Sequence, residues 1–517
     1  MEHIELVAHA KEFDESLQHH QQEAAHVDQH DVASPATWQD KPSQATSDVE
    51  KQEPTNAAAP HPIDAAGSDT IGPDNAPVKD RGWAAWRFVL ASATMEFMVW
   101  GASYGYGSFQ DYHQHSDASP FHTASLTSVS SIGTTLLAGQ HFIPLVAFGL
   151  YSMFPSLIKT FTYTCVAASA LSLLIASFAQ SVALLIVFQG LLLGIFGGNL
   201  FTTTILWLPN WFDKRRGFAT ALIFAGSAVG GILWPILFTQ MLERIGFRWT
   251  LRAWALMQLV VSGGAVLCLQ PGRRLDGIQR PIRWKRVVPG FPRSLLSPLT
   301  LLNAGVILTQ TTAWYSVSLN ISNYATAMGF SSATSTGVLS AFNASAAVTY
   351  FVLGYLVDRF PYPLIMATST TLNLVFTVLV FGFADGSLTK IIVYVVFFGI
   401  SGGGFSSFLT PMSREIKDKA QSDEFSLRFL YLVCIRGLAA MCGPIIAVQF
   451  YPDQLGKPSA YGSFGFTPFI AFISATLAIS TLASLVVFAY KRYSQPRHER
   501  GKASAPVTPP PEPSSAV

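Results

Sequence analysis

"NWFDKRRGFATALIFAGSAVGG", residues 210–231, sets Lys214, Arg215 and Arg216 directly before a run that is almost wholly apolar and dotted with small residues. A basic cluster at the mouth of such a run is either an anion-binding helix end or the charged edge of a membrane helix. Composition decides between them. Half of the 517 residues are hydrophobic and only 12% are charged, whereas soluble domains carry about 25% charged residues. The charge gathers in residues 1–82, in short clusters between apolar runs, and in residues 491–517. Apolar runs of about 20 residues, enough to cross a hydrocarbon core about 30 Å thick, recur through the middle. The chain therefore reads as an all-α polytopic membrane protein, with the lipid bilayer as its partner and no nucleic acid.

Hydropathy with glycine, proline and charge punctuation predicts twelve spans. They lie near 84–106, 124–148, 161–179, 183–208, 217–240, 250–270, 299–321, 334–356, 363–384, 389–411, 427–450 and 466–489. Residues 1–82 are rich in Asp, Glu, Gln, His, Ala and Pro without apolar periodicity, and are expected to be a disordered acidic tail. Their acidic start lacks the apolar core of a secretory signal. The basic residues of alternate loops, from Lys159 and the 214–216 triplet through Arg359 to Arg414, Lys417 and Lys419, outnumber those of the opposite loops. The positive-inside rule then puts both termini in the cytoplasm of a multi-pass cell-membrane protein.

A repeat divides the chain. "LGIFGGNLF" (193–201) in the fourth span and "FGISGGGFS" (398–406) in the tenth superpose at an offset of 205 residues, and "FGLYSMFP" after the second span echoes "LGYLVDRFP" after the eighth. Internal repeats of this kind are the mark of transporters built from two related halves. The organisation expected is a tail (1–82), a six-helix bundle (83–270), a basic cytoplasmic linker (271–298), a second, pseudo-symmetric six-helix bundle (299–490) and a disordered cytoplasmic tail (491–517).

Ionisable groups deep in a span cost about 2.5–3.5 kcal/mol on insertion scales, so each needs a reason. Glu96 in "ASATMEFMVWG" is the candidate proton-titrating group, and Arg436 in "LVCIRGLAAM" a counter-charge or anion contact; His141 is a third such residue. Trp100, Gln189, Asn199, Thr203, Trp207, Gln310, Trp314, Tyr315, Asn343 and Tyr350 are the further candidates to line a solute cavity. The glycine clusters 194/197/198 and 402/403/404 allow close helix approach. Asn320, in an "NIS" sequon at the expected outer end of the seventh span, is the glycosylation candidate. No catalytic signature, nucleotide-binding loop or metal-ligand motif is found, so no enzyme activity, cofactor or metal is expected. The four cysteines all fall inside apolar runs and read as small buried hydrophobes.

Several motifs resemble the monocarboxylate-porter branch of the major facilitator superfamily, in its fungal form. "DRGWAAW" (80–86) is similar to that branch's signature before the first span, with Asp80, Gly82, Trp83 and Trp86 matching and Arg81 departing. "GSFQDYH" (107–113) resembles the fungal ending of that span, and "WFDKRRGFATALIFAGSAVGG" the second signature, with Phe218 and Ala221 as departures. "GYLVDRF" (354–360) resembles the superfamily loop that carries Asp358 and Arg359. Met153 stands where the first-half copy of that loop has its acidic residue. Thr349-Tyr350 occupies the place of a Gly-Arg pair, and the first span lacks the lysine of lactate and pyruvate carriers.

The resemblance implies two bundles rocking about a central cavity, with proton coupling for which Glu96 is the candidate. Lys214, Arg215, Arg216, Asp358 and Arg359 are then gate and topology residues. The departures favour a secondary active transporter that exports a larger organic acid or a fungal secondary metabolite over a proton-linked monocarboxylate uptake carrier, and a monomer is expected. A non-transporting nutrient sensor with a signalling tail is the alternative of another class.

Overall fold

Membrane helices satisfy every backbone hydrogen bond internally, and in the computed structural model every regular element among the described residues is helical. Those residues are 82–212, 215–271, 293–414, 422–452, 456–457 and 459–503. They belong to one of the chain's two compact units, 71–517. The N-terminal tail and the basic linker lie outside the described residues, apart from the linker's two ends. Twelve helical segments follow in chain order: α1 (83–115), α2 (Leu126–Met153), α3 (Ile158–Ala176), α4 (182–211), α5 (216–245) and α6 (247–268), then α7 (Pro298–Ala327), α8 (Ser332–Arg359), α9 (Tyr362–Phe381), α10 (Leu388–Ser413), α11 (Ser422–Val448) and α12 (Thr467–Ala503).

Local signals set several of the starts. Ser125, Ser297 and Ser331 each accept a hydrogen bond from the backbone N–H three residues on, capping α2, α7 and α8. Pro298 follows its cap at the first helical position, where its missing N–H costs nothing. The loop expected around 241–249 is instead helical on both sides of Gly246. That residue, at φ 73° and ψ 168°, is the whole break between α5 and α6, a backbone conformation open to glycine and strained for other residues. The first helix also outruns its expected end near residue 106. It passes through a wider π turn at Phe97–Gly101 and a break at Gly105, then continues to His115. The added turns bury Gln110, Asp111 and His113.

Among the described residues, nine helical stretches are long and apolar enough to cross a membrane, one of them containing both α5 and α6. The helices left out are α1 and α7. In α7 polar side chains dilute the hydropathy, and Asn303, Gln310, Thr311, Ser316, Ser318, Asn320, Ser322 and Asn323 are all buried. Beyond Leu301 it exposes no large hydrophobic residue. The opposite holds for α3, α6, α9 and α12, which turn rows such as Leu171, Leu174 and Ile175, or Ile479, Leu482 and Leu485, outward. Those faces suit hydrocarbon, while α1 and α7 form the centre.

The repeat seen in the sequence is also a repeat in packing. A Cβ on Gly194 of α4 would stand 2.5 Å from Leu136 O of α2, and one on Gly198 2.7 Å from Gln140 Cα. In α10, Gly399 would meet Phe342 O of α8 at 2.8 Å and Gly403 would meet Ala346 Cα at 2.4 Å. The same spacing of glycines thus faces corresponding turns of α2 and α8. A second pair behaves alike: Gly230 of α5 lies against Phe97 and Gly101 of α1, and Gly443 of α11 against Thr312 of α7. The result is two pseudo-symmetric six-helix bundles. They meet where α2 packs on α11, α5 on α8 and α1 on α7.

Candidate functional site

The two bundles are stitched together over the end of the helices where α1 and α7 finish and α2 and α8 begin, the distal side. Gln110 Nε2 of α1 donates to Asn320 Oδ1 of α7 at 2.8 Å, the hydroxyls of Thr239 (α5) and Thr336 (α8) are 2.6 Å apart, and Gln449 Nε2 donates to Thr127 Oγ1 of α2 at 2.9 Å. Deeper in, Ser340 Oγ and Asn343 Nδ2 of α8 donate to the carbonyls of Ile232 and Gly231 in α5, at 3.1 and 2.8 Å. These contacts are neutral and short-ranged. Each is worth about 0.5–1.5 kcal/mol net, so the seam is closed by interactions that can be exchanged for others.

Beneath this seam lies a cavity of ≈ 20 Å³, room for about one water molecule. Tyr104 of α1, Ser227 and Gly231 of α5, Trp314 of α7, and Asn343 and Tyr350 of α8 line it, so both bundles contribute. Aromatic packing fixes its walls. Trp314 is backed by Phe342 and Phe398, with ring centroids at 4.5 and 5.9 Å, and Tyr350 stacks on Phe224 at 6.3 Å. Gly402 makes this possible, because a Cβ there would press on the Trp314 ring and on Asn373.

A polar group crosses the bundle interface next to the cavity. His141 of α2 has Nδ1 at 2.7 Å from Leu137 O, which places its proton on that nitrogen and leaves Nε2 to face the Tyr315 hydroxyl of α7 at 3.3 Å. Trp100 stands edge-on to the same imidazole at 4.8 Å. Arg436 of α11 donates from Nη1 to Ser406 Oγ at 2.6 Å. Its charge also acts on Tyr315, Tyr104 and His141, while Tyr104 in turn stands beside Tyr350.

The residues singled out in the sequence divide accordingly. Trp314, Asn343 and Tyr350 line the cavity, and Trp100 and Arg436 belong to the group beside it. Asn199, expected at the cavity, faces away from it: its Nδ2 donates to Cys165 Sγ of α3 at 2.9 Å. Gln310 is buried with its Nε2 unpartnered, and is not part of the lining. Glu96 is 2% exposed, its Oε1 has no hydrogen-bond partner, and it too lies outside the lining.

The expectation for Asn320 is corrected. Its side chain is fully buried, with Oδ1 accepting from Gln110 and Nδ2 donating to Ser316 O at 2.9 Å, leaving no room for a glycan. Of the gate candidates, Lys214 and the side chains of Arg216 and Asp358 lie outside the described residues. Arg215 is exposed, and Arg359 rests over the ring of Tyr355 in its own helix, 4.0 Å from the centroid.

Tyr315, a candidate from the sequence, lies in the polar group beside the cavity, whereas Tyr104 and Ser406 are absent from the cavity candidates that sequence gives. Tyr104 looks like an aromatic anchor at the end of a span ending near residue 106. Because α1 continues to His115, it lies well inside the helix.

Comparison with known proteins places this architecture. A family model described as Major Facilitator Superfamily matches residues 301–512. Among curated proteins, the chain is similar to the fujikurins efflux protein of Gibberella fujikuroi, 28% identical over 280 residues that are 54% of this chain and 57% of that one. It is also similar to the MFS-type transporter eupM of a Phoma species, 33% identical over 182 residues, 35% of this chain and 62% of that one. The match thus spans about three-fifths of the length of each of these relatives. Among solved structures, the nucleoside transporter NupG superposes with a TM-score of 0.58 at 12% identity, over 78% of this chain and 99% of that one. The chain carries the fold of the major facilitator superfamily, and its relatives are fungal transporters of that superfamily.

Proposed function

We propose that the protein is a secondary active transporter that moves a small organic solute across a membrane by alternating access, in the direction of export. One observation carries this reading. The cavity is walled by both bundles beneath a seam of exchangeable neutral hydrogen bonds, so separating the bundles distally would expose the same site from the other side. The names of the fungal relatives, one of them an efflux protein, support export of a secondary metabolite.

Within this reading the chain is a monomer of the monocarboxylate-porter branch, with both termini in the cytoplasm of the cell membrane. Residues 83–270 and 299–490 are the moving bundles and the basic segment 271–298 is their link. Proton coupling through Glu96 completes it. A carboxyl this deeply buried, with an oxygen that nothing pairs, has the isolation required of a group that is loaded and unloaded with a proton.

The test is counterflow in proteoliposomes containing the full chain. Vesicles preloaded with a candidate metabolite should transiently accumulate labelled external metabolite above equilibrium. Vesicles that never do so with any compound secreted by the source organism would refute the proposal.

A further inference from the structure

We propose that the first bundle holds one glycerophospholipid with an anionic headgroup, its acyl chain in the groove between α1 and α5 and its phosphate at Arg87. The proposal stands apart from the transporter reading, because it depends neither on the central cavity nor on any solute.

The groove comes first. Ala93, Thr94 and Phe97 of α1 and Leu222, Ala225 and Val229 of α5 line a space of ≈ 310 Å³. Its floor is a close helix contact, since a Cβ on Gly226 would press into Ala93 O. Phe97 is anchored by Trp234, whose ring lies 5.5 Å away and whose Nε1 donates to Phe97 O at 2.9 Å. Nearer the start of both helices, Trp86 and Phe218 bridge α1 and α5 with ring centroids 6.2 Å apart. Leu222 and Val229 are exposed, so the groove opens outward. The lining has a single hydroxyl, Thr94 Oγ1, and it already donates to Leu90 O at 2.9 Å. Nothing there answers a polar ligand, and the groove suits hydrocarbon.

The start of the same two helices asks for the opposite. Arg87 precedes Thr94 by seven residues, two helical turns, and so shares its face of α1. Arg87 is half-buried, and its Nε is buried with no hydrogen-bond partner. Among the described residues no carboxylate pairs with it. Arg215 stands at the N-terminal boundary of α5, seven residues before Leu222. No Asp or Glu occurs in residues 82–95 or 215–242, so the cations are not balanced from either helix. A basic side chain near a helix end ordinarily extends into water. A guanidinium with a buried, unpaired N–H calls instead for an anion with several acceptor oxygens, as a phosphate has.

Spacing joins the two demands in one molecule. Ten residues separate Arg87 from Phe97, about 15 Å of helix at 1.5 Å per residue. That is half of a hydrocarbon core about 30 Å thick, the depth of a single leaflet. An amphiphile whose charge and tail are set one leaflet apart is a membrane lipid. Clustered basic side chains at the rim favour a headgroup of net negative charge over a zwitterionic one.

The experiment compares two lipids with the same acyl chains, palmitoyl-oleoyl phosphatidylserine and phosphatidylcholine. Each is titrated onto the purified, delipidated full chain in detergent, and the bound lipid is counted by native mass spectrometry. One phosphatidylserine should bind the wild type at least about fivefold more tightly than phosphatidylcholine, the effect of one basic side chain at a lipid surface. Arg87→Gln should bring that ratio close to one, and Arg87→Lys should retain most of it. Arg248→Gln removes an exposed cation at the start of α6 and should leave the ratio unchanged. Ala225→Phe fills the groove and should weaken both lipids while every arginine stays in place.

Equal affinity of the two lipids for the wild type overturns the proposal, with no variant needed. So does a preference that survives Arg87→Gln, or one that falls as far in Arg248→Gln, which would make it a matter of net charge. Phosphatidylserine binding undiminished by Ala225→Phe refutes the groove as the seat of the acyl chain.

Discussion

Gly437 sits where α11 crosses α2, and a methyl group there should act on the conformational equilibrium. An ideal Cβ at this position lies 2.7 Å from His141 Cβ, about 1 Å inside the carbon–carbon optimum of about 3.5–4.0 Å. The imidazole has little freedom to yield, because Nδ1 is tied to Leu137 O and Nε2 faces Tyr315. Overpacking of this kind costs about 1–3 kcal/mol. In Gly437→Ala the cost falls on the distally closed state, where the two bundles touch, and is relieved when they separate. The closed population should drop roughly fivefold to 150-fold relative to the open one.

Gly403→Ala is the control. Its Cβ would lie 2.4 Å from Ala346 Cα, but α8 and α10 belong to one bundle, so the penalty is the same in both states. The assay is disulfide formation between Thr127→Cys and Gln449→Cys, positions whose native side chains touch at 2.9 Å, after replacement of the four native cysteines. Gly437→Ala should slow cross-linking strongly. Gly403→Ala should lower the melting temperature and leave cross-linking unchanged. Equal cross-linking in the two variants would refute the claim that α2 and α11 part during the cycle.

Three further outcomes are expected. Glu96→Gln should reach the membrane normally and abolish the dependence of flux on a proton gradient, measured as solute movement with and without an imposed pH difference; unchanged dependence would remove Glu96 from the mechanism. Protein from a glycosylating host should show no mobility shift on endoglycosidase treatment, because Asn320 is buried and doubly hydrogen-bonded. Trp314→Ala should empty the space in front of Phe342 and Phe398 and cost about 3–5 kcal/mol of stability. Its thermal midpoint should fall well below that of Phe218→Ala, whose side chain is 61% exposed.

Segregated charge made the twelve helices legible, because apolar runs of membrane length have few soluble readings. The glycine repeat was legible for a similar reason: close helix contact tolerates few residues besides glycine, so geometry shared by α4 and α10 leaves the same letters in both. What hydropathy cannot see is which face of a helix a mid-span polar residue occupies. Asn199 and Asn343 look alike in sequence, yet one binds Cys165 within its own bundle and the other reaches Gly231 across the interface. Tyr104 was obscured by a boundary. The stretch "YGYGSFQDYH" carries glycines and polar groups that signal a span's end, but α1 buries those groups against α7 and continues. Gly246 is the converse, a one-residue break where a loop of several residues was expected.

The central claim is that this chain exports an organic solute, and the distribution of metabolites in the source organism tests it most directly. Deleting the gene and profiling cells and medium by mass spectrometry should reveal at least one small organic acid depleted from the medium and enriched inside the cells. Re-expressing the wild-type chain should restore its release. Identical profiles with and without the gene, under conditions where the protein is present in the membrane of the parent strain, would contradict the account.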